Sequence, residues 1–292
     1  MKKRIVYLEI DGKRFGSETG DHLNVSFDVP YAGTGFVPTN SSFTLTNLNK
    51  DDLFEVVTNT ARFIERKRKI KCFAGYEGEV EQIFGGEILQ SNPTDLPDTS
   101  VNITAFSNIQ AMGEQIEVKY DNPTLFDIVN DARKACGHGI YITEKVRNSS
   151  ILQTRIPGNW SFSGSTADFL RETSIMLANQ VRQSKEALSF VVANNILYIG
   201  WQNERFPGTI PIISAESGMI GIPSPTEAGI NLQILLDVSL RPLQTIYVKS
   251  NQLSLYNGLY NIINIRHRGS LRGRDWYTDL ECVRVEDDKT TV

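Results

Sequence analysis

The chain has 292 residues, 40% of them hydrophobic and 22% charged, with 22 Gly and 11 Pro spread along its length. That length suffices for two ordinary domains or three small ones, and the composition is that of a folded protein rather than a disordered or collagen-like chain. A formal net charge of −4 has the wrong sign for a protein that coats nucleic acid by neutralising phosphates.

Cys72, Cys136 and Cys282 are odd in number and far apart, so they offer neither a disulfide framework nor a CxxC pair for zinc, and folding in a reducing compartment is expected. The basic start is followed by an apolar run that Glu9 and Asp11 cut before secretory length; no signal peptide is expected. No run of about 18 apolar residues is available for a membrane helix.

In chain order, residues 5–10, 23–29 and 42–46 alternate apolar and polar side chains between Gly, Asp, Asn and Pro, the period of strands with turn punctuation. Leu53, Val56 and Val57 behind Asp51 and Asp52 predict one short helix. Strands resume at 69–74, 83–90 and 101–105, with the turn-rich stretch 92–98 as the loop joining the last two.

The period then changes. Asn122 followed by Pro123 reads as a cap and first helical residue, Leu125, Ile128, Val129 and Ala132 as one apolar stripe, and Gly137 as the stop. Ser165 and Asp168 have capping-box spacing ahead of Phe169, Thr173, Met176 and Leu177, a second helix. Residues 188–192 and 196–199 form a hairpin signal. Beyond an extended, Gly- and Pro-rich connector near 217–230, strands are expected at 232–236, 245–250, 259–266 and 276–283, with Asn257-Gly258 and Gly269 to Gly273 as turns.

The expected fold is therefore mainly β with an α+β insert: a β domain over 1–106, a mixed α/β domain over 107–205 and a second β domain over 206–292. The two β segments invite comparison. Strand 70–74, Phe84-Gly85-Gly86, strand 87–90 and closing strand 101–105 parallel strand 246–249, Tyr256-Asn257-Gly258, strand 259–265 and closing strand 276–283, a pattern compatible with a diverged duplication.

Motifs for chemistry are sparse. His22, His138 and His267 do not cluster in sequence, and Cys136-Gly137-His138 lies at a helix C-terminus, where a histidine faces the carbonyl end of the dipole. No Gly-x-Ser-x-Gly elbow, phosphate loop or His-Glu-x-x-His helix occurs. Two carboxylates suffice for glycoside hydrolysis, and 34 acidic residues always contain a pair. No catalytic residue, metal or cofactor is assigned.

Two basic groups are interface candidates. Arg62, Arg66, Lys67 and Arg68 run into Lys69 and Lys71, either as a solvated edge protected by charge or as a patch for an acidic neighbour. Arg266, His267, Arg268, Arg272 and Arg274 stand beside Trp276 and Tyr277, and arginine with aromatics commonly anchors contacts.

The last block is the most distinctive: Ser217-Gly218-Met219-Ile220-Gly221-Ile222-Pro223, then residues 231–236 and 240–244, Tyr256-Asn257-Gly258-Leu259-Tyr260, Arg266-His267-Arg268-Gly269 and Asp275-Trp276-Tyr277-Thr278-Asp279. It resembles the C-terminal part of baseplate hub proteins of tailed bacteriophages, over about 217–284 and more loosely over 1–106. Leu243-Gln244 departs from the pattern, since many relatives carry a Gly-containing turn there. The resemblance implies two tube-like β-barrel or sandwich domains and a structural adaptor of the virion tail baseplate, assembled in the bacterial cytoplasm. It implies a homotrimer that joins the sixfold tail tube, or distal tail protein, to the threefold central spike. Such a ring encloses the path of the tape-measure protein and DNA and meets baseplate wedge proteins, without enzymatic activity, specific nucleic-acid binding or membrane insertion. Both basic groups are then expected to face neighbours, leaving the channel without net positive charge. The alternatives are a tail-associated cell-wall hydrolase whose active carboxylates lie in the insert, and a nucleic-acid-binding module built on 62–71.

Overall fold

The computed structural model describes residues 2–17, 23–32, 40–61, 68–94, 99–106, 114–135, 137, 139–182, 188–193, 196–206, 208–227 and 229–285. The first segment comprises β1 (Arg4–Ile10), β2 (Lys13–Gly16), β3 (Asn24–Ala32), β4 (Asn40–Thr46), α1 (Lys50–Ala61), β5 (Lys69–Tyr76), β6 (Glu79–Thr94) and β7 (Ser100–Phe106). The insert contains β8 (Gln115–Asp121), α2 (Leu125–Ala135), β9 (Gly139–Ile142), α3 (Glu144–Asn148), β10 (Asn159–Ser165), α4 (Thr166–Arg182), β11 (Leu188–Ala193) and β12 (Ile196–Trp201). The last segment contains β13 (Ile212–Ser214), β14 (Met219–Pro225), β15 (Gly229–Leu235), β16 (Thr245–Lys249), β17 (Gly258–Ser270) and β18 (Trp276–Arg284).

The chain is mainly β, as the alternation predicts. Along β4 every second residue, Ser41, Phe43 and Leu45, is buried while its neighbours are not, the period that places one face on a core and one in water. β7 and β15 follow the same rule. The stretch 217–230 is extended as expected, and it is also paired: β14 runs antiparallel to β15. The loop expected at 92–98 starts later, because β6 continues to Thr94 and pairs with Ser100; Asn92, Pro93 and Thr94 look like turn residues but occupy an outer strand half, where proline costs no ladder bond. Residues 95–98 lie outside the described residues.

Thirteen strands form one sheet along the path β14-β15-β18-β17-β3-β4-β7-β6-β5-β1-β2, with β16 also on β17 and β13 on β16. β17 holds it together. Its first residues pair with β16 (Val248↔Gly258 to Thr245↔Asn261), and its later ones pair with β3 (Asn264↔Ala32 to Ser270↔Ser26). The cores are joined as well, since Leu236, Val238 and Trp276 from the last segment pack into the core of the first. Gly269 marks this junction. A Cβ there would lie 2.7 Å from both Phe27 and Trp276, so this glycine serves a close approach of rings rather than the turn its sequence context suggests.

The insert has its own core of Leu125, Ile128, Val129, Phe162, Phe169 and Leu197, under the β8–β10 pair and the sheet β11-β12-β9. α4 begins with the expected box: Asp168 N donates to Ser165 Oγ at 3.2 Å, and Ser165 Oγ donates to Asp168 Oδ2 at 2.7 Å. α2 differs. Its cap is Thr124, whose Oγ1 accepts from Asp127 N at 3.2 Å while Thr124 N donates to Asp127 Oδ2 at 2.9 Å. Asn122, expected there, instead uses Oδ1 to accept Gly158 N at 3.0 Å. A buried polar network ties the insert to the last segment: Asn261 Nδ2 donates to Gln202 O at 2.8 Å, and Thr245 Oγ1 donates to Asn261 Oδ1 at 2.7 Å.

Candidate assembly surfaces

The first and last segments repeat one another in strand order and in register. β3-β4-β7-β6-β5 in one corresponds to β14-β15-β18-β17-β16 in the other. β6 meets β7 as Ile88↔Ala105, then Gln90↔Thr104 across a register shift; β17 meets β18 as Ile262↔Cys282, then Asn264↔Glu281 across a shift at the same place. Ile88 N donates to Arg68 O at 2.9 Å, and its counterpart Ile262 N donates to Gln244 O at 3.1 Å. Asn47 N reaches Thr99 O at 3.0 Å, and Leu236 N reaches Trp276 O at 3.0 Å. Bulges are specific features of a fold rather than accidents of pairing. The repeat aligns Gly258 with Phe84, so matching the aromatic-x-Gly motifs to each other is wrong by two residues. The repeats also differ, since β1 lies antiparallel to β5 whereas β13 lies parallel to β16.

The candidate contact residues fall in several places. Arg62, Arg66, Lys67, His22, His138 and Cys136 lie outside the described residues. Arg68 is buried; its Nε donates to Asp11 Oδ2 at 2.7 Å and its Nη1 to Val56 O at 3.3 Å. It ties the turn after β1 to the middle of α1 and presents no free charge, because a guanidinium is retained inside only when paired. Trp276 is also inward, edge-to-face with Phe27 at 5.5 Å between ring centroids. His267 is buried against Tyr31, with Nδ1 2.9 Å from Thr278 Oγ1. Burial disfavours the imidazolium and brings its pKa down to about 3, so it is a neutral core side chain at neutral pH.

Arg266, Arg268 and Tyr277 occupy the opposite, outer face of the sheet. Arg266 Nε donates to Asp28 Oδ1 at 2.7 Å, while Arg268 Nε pairs with Asp279 Oδ2 at 2.8 Å and lies over the Tyr277 ring. Arg272 and Arg274 project from the turn between β17 and β18 and are exposed. The basic group is thus split three ways, because alternation sends neighbouring residues to opposite faces.

This outer face carries a polar surface across seven strands. One cross-strand row reads Leu235, Tyr277, Arg268, Asp28, Ser42, Thr104, Gln90; the next reads Ser270, Ser26, Thr44, Asn102, Asn92. Its groups bond to each other: Gln233 Nε2 donates to Asp279 Oδ1 at 2.8 Å, Asn264 Nδ2 to Glu281 Oε2 at 2.6 Å and Thr44 Oγ1 to Asn102 Oδ1 at 2.8 Å. Asp28, Asp279 and Glu281 were not among the candidates, although their parity in β3 and β18 puts them outward. Asp28 pairs with Arg266 and Asp279 with Arg268, so both arginines of this face are ion-paired, while Glu281 accepts from the Asn264 amide.

The family model for baseplate hub gp41 matches residues 39–282. No curated protein matches the chain. Among solved structures, the chain is similar to the 43 kDa tail protein of prophage MuSo2 from Shewanella oneidensis, with 10% identity, a TM-score of 0.56 and coverage of 97% of this chain and 98% of that one. A tail protein from Neisseria meningitidis MC58 gives 7% identity, a TM-score of 0.58 and 97% coverage of both chains. An E. coli type VI secretion component, described as structurally similar to the T4 bacteriophage tail proteins gp27 and gp5, gives 10% identity and a TM-score of 0.58 over 96% of this chain and 77% of that one.

Proposed function

This chain belongs to the baseplate hub gp41 family, and from that membership we propose that it is a structural hub of a phage tail baseplate whose copies close a trimeric ring between tail tube and central spike. The observation that carries the ring is the internal repeat. A ring of three subunits presents six similar units only if each subunit holds two, and rotational closure requires contacts that repeat head to tail. In this reading the units are the β segments within 1–106 and 206–292, and the insert within 107–205 reaches outward to other baseplate components. The sixfold side meets the tail tube or distal tail protein, and the threefold side meets the spike.

The ring encloses the route of the tape-measure protein and DNA. The neutralised outer face suits that lining, since few phosphates would be held by unpaired cations. The role is mechanical rather than catalytic. Native mass measurement of the full chain, alone and with its spike partner, tests the ring: a trimer is expected, and a monomer or hexamer overturns it. Incubation with purified peptidoglycan tests the absence of activity, and reproducible release of sugar or peptide would favour a hydrolase.

A further inference from the structure

The outermost strands of the two repeats occupy the same place and present different chemistry. Tyr247 pairs with Leu259 and Lys71 with Gly85, positions that match in the repeat, so Tyr247 corresponds to Lys71. Their neighbours on the next strand, Ile212 of β13 and Glu9 of β1, then correspond as well. The inward residues agree: Leu8 and Cys72 in one repeat, Ile213 and Val248 in the other, are all buried. The outward pair does not agree. In the first repeat it is an ion pair, Lys71 Nζ to Glu9 Oε1 at 3.2 Å, and β2 lies along the far side of β1 with Arg14 opposite Glu9. In the second it is Ile212 beside Tyr247, 58% and 37% exposed, and among the described residues no strand flanks β13 on its far side.

We infer that the open side of β13 is a docking edge for an extended segment of another tail protein, which takes the place there that β2 takes on β1. This rests on the hub reading above and names the surface that receives one of the hub's neighbours. The β2 of a second copy is already bonded to its own β1, so the segment comes from a different protein.

The backbone sets what that segment can bond. Tyr247 N donates to Pro211 O at 2.9 Å, so in the parallel ladder Tyr247 turns its backbone groups toward β13 and Ile212 turns its own N–H and C=O away from β16. Ser214 ends the edge, since its N donates to Ser217 Oγ at 2.8 Å and its O accepts from Ser217 N at 3.2 Å. The incoming segment therefore bonds at Ile212 and draws the rest of its affinity from apolar contact. Its side chains alternate, with apolar residues on the face that meets Ile212 and Tyr247.

The same segment has no place on the first repeat. Covering Glu9 and Lys71 with apolar side chains would strip a charged pair of water, and β2 already fills the edge. Charge and a covering strand protect that edge from pairing, whereas the edge of β13 has neither. The partner thus distinguishes two units that share a backbone pattern and binds once per chain.

Photo-crosslinking in assembled tails tests this. Ile212 is replaced by p-benzoylphenylalanine, which keeps the position apolar, and Glu9 is replaced in the same way in a parallel sample; after irradiation the joined peptides are read by mass spectrometry. The expected product from position 212 joins a different tail protein through a segment of alternating apolar residues, and that segment should not be recovered from position 9. An adduct with this chain alone, an adduct through a segment without alternation, recovery of the same segment from both positions, or no adduct in tails that contain the chain overturns the docking edge and leaves the hub reading standing. Absence of the chain from tails overturns both. Ile212→Asp supplies a second readout: an unchanged urea midpoint and native mass with loss of that partner from the tail is expected, Ile212→Val should retain the partner, and a partner retained by Ile212→Asp refutes the assignment.

Discussion

Replacing Trp276 with Ala tests whether the two β segments fold as one body. The indole is fully buried and belongs to the core of the first segment although it lies on β18 of the last. Removing a buried Trp costs about 3–5 kcal/mol through lost transfer energy and the cavity left behind. The rings of Phe27 at 5.5 Å and Tyr76 at 6.4 Å, both edge-on, put the expectation in the upper half of that range, since aromatic pairs add about 0.5–1.5 kcal/mol each. Trp276 Nε1 has no hydrogen-bond partner among the described residues, so truncation strands no polar group and the loss is one of packing. Urea unfolding followed by circular dichroism should show a lower midpoint. Hydrogen exchange should show faster exchange in β3 and β4 as well as in β17 and β18. An unchanged midpoint, or exchange confined to the last segment, would refute the shared core.

Two further outcomes follow from single residues. His267, with a folded pKa of about 3 against an ordinary value of 6.5, is neutral in the fold while the unfolded chain takes up its proton below 6.5; stability should therefore fall by about 1.4 kcal/mol per pH unit between 6.5 and 3, and pH titration of stability in His267→Gln should lack that component. Leu243 sits at φ +63 with its side chain buried against Phe206; Leu243→Gly relieves roughly 1–2 kcal/mol of left-handed strain but gives up about 2–5 kcal/mol of core packing, so a net loss is expected in the urea midpoint, and a gain would show that the packing is dispensable.

Much of this protein follows from local rules that the sequence states by itself. Alternation in β4, β7 and β15, the apolar stripe Leu125, Ile128, Val129 and Ala132, and the Ser165–Asp168 box each involve residues a few positions apart, and these determine strands, helices and starts without reference to anything distant. The paired β segments were legible as a rhythm of strands. What tertiary structure alone decided is how they meet. The period of a strand says that Asp28 and Arg266 face outward, but not that β3 lies beside β17 and makes them partners, because pairing joins residues 238 positions apart through no local preference. Register belongs to the same class: turn-like glycines suggested one alignment of the repeats, while the bulges at Ile88 and Ile262 impose another, two residues away. Arg68 and Trp276 read as surface contacts because charge and aromaticity are properties of residues, whereas burial is a property of the neighbours that long-range packing brings around them.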